Sequence, residues 1–197
     1  MFVLTVDQRR SRRDADRVPE LLALLASTPV VRGFERTAGD EVQGVLDDPG
    51  AVVNTVLALV RSACWSIGVG VGTVAQPLPA STRAGRGPAF ERARDAVEAA
   101  KTSPSHVSVV GAEPVSAQHA GAVLDLLALV VARRSDEGWA AVELVRVGAT
   151  QTAAAAALGI TKQAVSQRLR ATAWGIEVAG RSTASALLAR AADGTAR

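Results

Sequence analysis

Apolar side chains recur along this chain first at every second position and later at every third or fourth. Residues 2–6 are a run of β-formers that predicts a buried strand, and Val18, Leu21, Leu22 and Leu25 give residues 14–26 a helical period. Residues 30–36 and 41–46 read as two strands of a hairpin around Ala38-Gly39-Asp40. Pro49 suits the first turn of a second helix, with Asp47 or Asp48 as its cap and Val52, Val53, Val56, Leu57 and Val60 on one face. Residues 65–74 alternate, with Trp65, Ile67, Val69 and Val71 on one side, and the Pro-, Ser- and Gly-rich residues 76–87 predict a loop. Residues 88–102 read as a third helix and 107–110 as a further strand. The predicted order β-α-β-β-α-β-α-β describes a small mixed sheet with helices on one face, an α+β fold of ferredoxin-like, palm-type architecture.

The strand pattern ends where Pro114 breaks the chain, which divides it into residues 1–114 and a helical unit, residues 115–197. Residues 116–134 carry Val123, Leu124, Leu127, Val130 and Val131, with Leu126 and Leu129 widening the stripe. A stripe so wide is read first as core. Its second use is a homodimer seam, since helix-turn-helix proteins commonly pair to read two half-sites.

Residues 151–158 are nearly all alanine, Gly159 suits a left-handed helix end, and Thr161 is a good N-cap for a helix running through Lys162, Val165 and Leu169 to about Trp174. So short a turn forces a close crossing, with Ala155 as the small residue and Ile160 and Val165 as apolar plugs. The opposite face carries Thr161, Lys162, Gln163, Ser166, Gln167 and Arg170. Gln163 and Gln167 suit base edges in a major groove, Arg168 and Arg170 suit phosphates, and Lys, Ser and Thr reach phosphates too. An ordinary α-hairpin with a solvated face is the bland alternative, and it does not explain why this face has no acid. The segment resembles the helix-turn-helix of bacterial regulators and of sigma-factor region 4. That resemblance implies a module for double-stranded DNA at about residues 150–174. No Gly-turned strand pair follows it, and residues 177–192 read as further helix in place of a wing.

Charge supports this division. The net +3 separates into seven Lys/Arg against two acids from Arg146 onward, and fifteen against seventeen before it, the footprint of a nucleic-acid-binding end on a near-neutral body. Aromatics are 3% of residues with no Tyr, which argues against platforms that stack single-stranded bases. One cysteine, Cys64, leaves no internal disulfide and reads as a core residue, and His106 and His119 stand alone, as surface or cap residues. The N-terminal run meets Asp7 too early for a signal peptide, and the longest apolar run, residues 121–132, contains Asp125 and reads as too short to cross a membrane. The expectation is a cytoplasmic, nucleoid-associated protein with no membrane partner.

A second constellation lies in the first half. Asp7 at the end of the first strand and Asp40 at the hairpin tip are neighbours in such a sheet. Two carboxylates there suit Mg²⁺ with a nucleotide, and glycines on the neighbouring strand would let a ligand approach. Alternatively Asp40 makes the turn and Asp7 caps a helix, and the Arg9-Arg10-Ser11-Arg12-Arg13 run is either a phosphate contact or a salt-bridged loop.

The segments Val6-Asp7-Gln8-Arg9-Arg10-Ser11-Arg12, Gly39-Asp40-Glu41-Val42-Gln43-Gly44-Val45-Leu46, Ile67-Gly68-Val69-Gly70-Val71-Gly72-Thr73-Val74 and Gly87-Pro88-Ala89-Phe90-Glu91-Arg92-Ala93-Arg94-Asp95-Ala96-Val97 resemble the SatD family in the same order. More distantly the arrangement is similar to the palm of class III nucleotide cyclases and GGDEF proteins. The resemblance implies Asp7 and Asp40 as metal carboxylates, with Glu41, Gly68, Gly70, Arg92 and Arg94 around a nucleotide ligand. This chain departs from those enzymes: one Gly precedes Asp40, Val42 replaces an aromatic, and no Asn accompanies Arg92 and Arg94. No catalytic residue is therefore assigned. The leading expectation is a sequence-specific transcriptional regulator with an N-terminal ligand-sensing or association domain. The alternatives are a metal-dependent, nucleotidyl-cyclase-like enzyme carrying a DNA-binding module, and a structural adaptor.

Overall fold

The computed structural model describes residues 1–194 as an α+β structure with one five-stranded mixed sheet. The elements β1 (Phe2–Gln8), α1 (Val18–Leu25), β2 (Arg32–Arg36), β3 (Glu41–Leu46), α2 (Pro49–Arg61), β4 (Trp65–Val71), α3 (Pro88–Thr102) and β5 (Val107–Gly111) come in the predicted order. They are followed by α4 (Pro114–Ala132), α5 (Asp136–Arg146), α6 (Gln151–Leu158), α7 (Lys162–Ala171) and α8 (Trp174–Asp193). The strands lie in the order β2-β3-β1-β4-β5, antiparallel throughout except for the parallel pair β4–β5.

Local chemistry sets the element ends. α1 starts later than its helical period because the Gln8 side chain pins the segment before it, donating to the Ala15 carbonyl at 2.8 Å and accepting from the Arg17 N–H at 2.9 Å. Of the two cap candidates for α2, Asp48 is the one used. Its carboxylate accepts from the Gly50 and Ala51 N–H groups, the usual way to satisfy a helix's first donors.

The two faces of the sheet are both covered. Phe2, Leu4, Val6, Val42, Ile67, Val69 and Val71 share one core with α1, α2, α4 and α8, while Val3 and Val45 meet Ala89, Phe90 and Ala93 of α3 on the other side. The expectation of helices on a single face is therefore corrected. A parallel pair needs a crossover, and α3 makes it on the face the other helices leave free. The β4 glycines belong to this packing. A Cβ on Gly68 would lie 2.2 Å from the Val97 nitrogen, and one on Gly70 2.1 Å from the Ala89 carbonyl oxygen. Their role is to seat the α3 backbone against β4, and the space expected for a ligand above Gly68 and Gly70 is filled by that helix.

Helix α4 starts at Pro114, with Glu113 capping it through the Val115 and Ser116 N–H groups. This start is not a break in packing. Leu124, Leu127 and Val131 of α4 and Ala184, Leu188 and Ala191 of α8 lie in the same core as the strands, so the division expected between residues 114 and 115 does not separate two cores. A smaller core of Ala141, Val142, Ala154, Ala155, Val165 and Leu169 belongs to α5, α6 and α7 alone. Helix α4 is also longer than its apolar run suggested. At 19 residues with a mean hydropathy of 1.6, it is the one helix among the described residues long and apolar enough to cross a membrane. Here its inner side lines the core while Leu126 and Leu129 remain exposed.

Candidate nucleic-acid interface

Three residues, Gly159, Ile160 and Thr161, join α6 to α7. Gly159 adopts φ +64°, and the Ile160 N–H donates back to the Ala155 carbonyl at 3.1 Å while the Gly159 N–H donates to Ala156 at 3.3 Å. This pair of bonds closes a helix through a left-handed residue, a conformation glycine adopts without a Cβ penalty. Thr161 caps α7, its hydroxyl accepting from the Ala164 N–H at 3.1 Å. Thr150 caps α6 in the same way through Ala153. Ala154 and Ala155 are both buried at the crossing, Val165 is fully buried beneath α7, and Ile160 packs partly into the same core.

α7 ends at Ala171, three residues short of expectation, because Ala173 takes φ +52° and starts the next helix. The outer face of α7 carries Gln163, Ser166, Gln167 and Arg170 at helical i, i+3, i+4 and i+7 spacing, flanked by Lys162. Lys162, Gln163, Gln167 and Arg170 are exposed and Ser166 is half-buried. Thr161 is exposed, although its hydroxyl is engaged in capping. Arg168 does not share the stripe. It is half-buried and close to Glu137 of α5, whose carboxyl is held below the usual range by its own backbone N–H and by Ser135, with Arg168 adding to the effect. Beside the stripe, a depression of about 450 Å³ is bordered by Gln151, Ser166, Arg170, Trp174 and Ile176.

The supporting helix α5 was not anticipated as a separate element. Its signal was present: Ser135 caps it through the Gly138 N–H at 3.2 Å, and Asp136 and Glu137 occupy its first turn, the residue types that favour a helix start. Two buried charges also escaped the sequence. Arg134, 1% exposed, forms an ion pair with Glu177, 0% exposed, and Arg181 approaches the same carboxylate at 2.6 Å. Arg134 further donates to the Thr172 carbonyl at 2.9 Å and lies 5.0 Å from the centre of the Trp139 ring. The end of α4 is thereby fastened to the junction between α7 and α8.

The N-terminal candidates are not gathered into one site. Asp7 pairs with Glu41 across the β1–β3 ladder and lies close enough to Asp40 to feel its charge. Burial pushes the Asp7 carboxyl above its usual range. The Lys101 ammonium, 3.5 Å away, pulls it down, while Asp40 and Glu41 add to the rise. Glu41 accepts the Thr37 hydroxyl. The Lys101 ammonium competes for Asp7, and among the described residues no group of three or more His, Cys, Asp or Glu side chains is placed to hold a metal ion. Arg92 sits at the opposite end of the sheet, donating to the Val71 carbonyl at 2.9 Å over Gly72. The six-residue step along the chain from Ser66, the Asp7 partner, to Gly72 just past β4 spans roughly 20 Å. Arg94 is exposed and borders a separate depression with Arg83, Arg86 and Glu91. His106 bridges α3 to β5 with φ +56° and accepts the Ile67 N–H at its carbonyl. Cys64 is half-buried against the core. Comparison with protein-family models, curated proteins and solved structures finds no match to this chain.

Proposed function

We propose that the chain is a sequence-specific regulator of transcription that binds double-stranded DNA, with α6 and α7 as a helix-turn-helix and α7 as its reading helix. The observation that carries this reading is the outer face of α7: Lys162, Gln163, Ser166, Gln167 and Arg170 on a capped helix, with no Asp or Glu anywhere between Glu143 and Glu177. Gln163 and Gln167 read base edges, while Lys162 and Arg170 hold phosphates. The partners in this reading are duplex DNA and a second copy of the chain, which works at the nucleoid. The sheet order β2-β3-β1-β4 is read as a ferredoxin-like, SatD-like domain extended by β5. Of the candidates for the phosphoryl-transfer alternative, Asp7 and Arg92 lie at opposite ends of the sheet.

The test is selection of duplexes from a randomised pool by the full chain, followed by anisotropy titrations. Gln163→Ala is expected to lose about 1–3 kcal/mol on the selected duplex and to relax preference at one position. Lys162→Ala should weaken all duplexes alike and reduce the salt slope by about 1. A pool that yields no enriched sequence, or a Gln163→Ala/Arg170→Ala double variant that binds like the wild type, sinks the reading.

A further inference from the structure

A cavity of about 450 Å³ opens where α1 and α2 of the sheet layer face α5 and α8, within the range typical of small-molecule sites. Leu25, Leu57, Ala58, Trp139 and Val142 supply apolar wall. The charges around it do not cancel. Asp48 spends both carboxylate oxygens capping α2 and keeps its negative charge, while Glu177 carries two guanidiniums, Arg134 and Arg181, one positive charge more than it balances. Arg61 is held by Glu143 and by the Trp139 ring, 4.4 Å from its guanidinium. Arg146, also on the lining, makes no side-chain hydrogen bond or ion pair among the described residues. The lining thus offers one guanidinium, that of Arg146, free to take an anion beside apolar wall.

We propose that this cavity is an effector site for a small organic carboxylate with an apolar body, its carboxylate paired with Arg146 and its body against Leu57, Ala58 and Val142. A guanidinium suits such a group because its donors form a planar fork that matches two carboxylate oxygens. The cavity also lies where an occupant has leverage. Val142 lines it and is at the same time a buried member of the α5–α7 core with Val165, and Trp139 packs against both cores. An occupant bears on the seating of α5 and through it on α7. The binding claim stands alone, whereas the effector role rests on the DNA reading above.

Calorimetry with benzoate, 3-phenylpropionate and indole-3-acetate as probes, and with benzyl alcohol and benzylamine as neutral and cationic controls, separates the two. At least one carboxylate is expected to saturate one site with a Kd of about 1 mM or tighter. Arg146→Ala should weaken it about tenfold or more, Arg146→Lys much less, and Ala58→Trp should block it by volume. Arg146 is exposed and unpartnered, so its variants keep the fold. No carboxylate binding up to about 10 mM, equal binding by Arg146→Ala, or equal binding of benzyl alcohol overturns the site. The bound probe should then change DNA affinity by about threefold or more, an effect lost in Arg146→Ala. DNA affinity unmoved by a bound probe overturns the effector role. A chain that binds the probe and no DNA condemns the DNA reading and leaves the anion site standing.

Discussion

Two carboxylates, Glu177 and Asp7, show how differently this protein treats buried charge. Glu177 is fully buried but has two guanidiniums on it, and one of them, from Arg134, is as buried as itself. Removing one member of such a pair leaves an uncompensated charge in the interior. Glu177→Ala should therefore cost about 3–5 kcal/mol in urea unfolding, while a Glu177→Leu/Arg134→Met double variant costs much less. A single variant within about 0.5 kcal/mol of wild type would show that the pair is solvated in solution. Asp7 is compensated poorly, because the Lys101 ammonium lies closer to Glu98, at 2.7 Å, than to Asp7, at 3.5 Å. Its carboxyl is raised above the usual value, chiefly by burial. A raised carboxyl favours the folded state fully below the unfolded pKa of about 3.9, and that contribution is lost as pH rises through the folded value. Asp7→Asn should therefore be more stable than wild type at pH 7, the gain vanishing toward about pH 3. Lower stability of Asp7→Asn at pH 7 means that the Lys101 pairing outweighs burial.

At the scale of elements, the contact of α3 with β4 decides the most. With no side chain at Gly68 and Gly70, the helix backbone lies directly on the strand, and a methyl at either position meets backbone atoms within 2.2 Å. Backbone cannot swing aside as a side chain can, so Gly70→Ala should destabilise by about 3 kcal/mol or leave no folded protein. Gly121→Ala in α4 is the control. Its Cβ would meet Val109 at an ordinary 3.8 Å, and the helix should gain up to about 1 kcal/mol. Equal melting temperatures for the two variants contradict the close approach. These glycines also show where sequence reading stops. The alternation of Trp65, Ile67, Val69 and Val71 predicted β4 because a strand buried on one face must repeat by two. The glycines between them announced only that something comes near, and a helix backbone and a ligand leave the same mark. The α6–α7 pair was legible because its chemistry is local: Gly159, Thr161 and the alanines act on residues three or four positions away. The Arg134–Glu177 pair was hidden because its burial depends on how α4 meets α8, and an isolated charge on a helix reads as solvated. The burial of Arg168 was hidden for a related reason: its neighbour Glu137 lies on α5, a helix the periodicity had not separated.

For the whole molecule, the consequence lies in where the cores divide. The sequence changes character at Pro114, but the face of the sheet built from Phe2, Leu4, Ile67, Val69 and Val71 is closed by α4 and α8 as well as by α1 and α2. A chain cut after residue 114 would expose that apolar face to water, and a domain of that size has little stability in reserve. Residues 1–114 alone should therefore bind a hydrophobic dye and show no cooperative melting transition, whereas the full chain melts cooperatively. The small α5–α7 core meets the rest of the protein through Trp139 and Trp174, the Arg61–Glu143 ion pair and the Arg134 bond to the Thr172 carbonyl, beside the cavity at Arg146. Local opening there is expected at lower free energy than global unfolding. Hydrogen exchange should then find α6 and α7 protected less than β1 and β4, with a carboxylate probe at Arg146 narrowing the difference. Native-like melting of the 1–114 fragment would move the division back to Pro114, leaving α4 and α8 as a cover that the sheet does not need to fold.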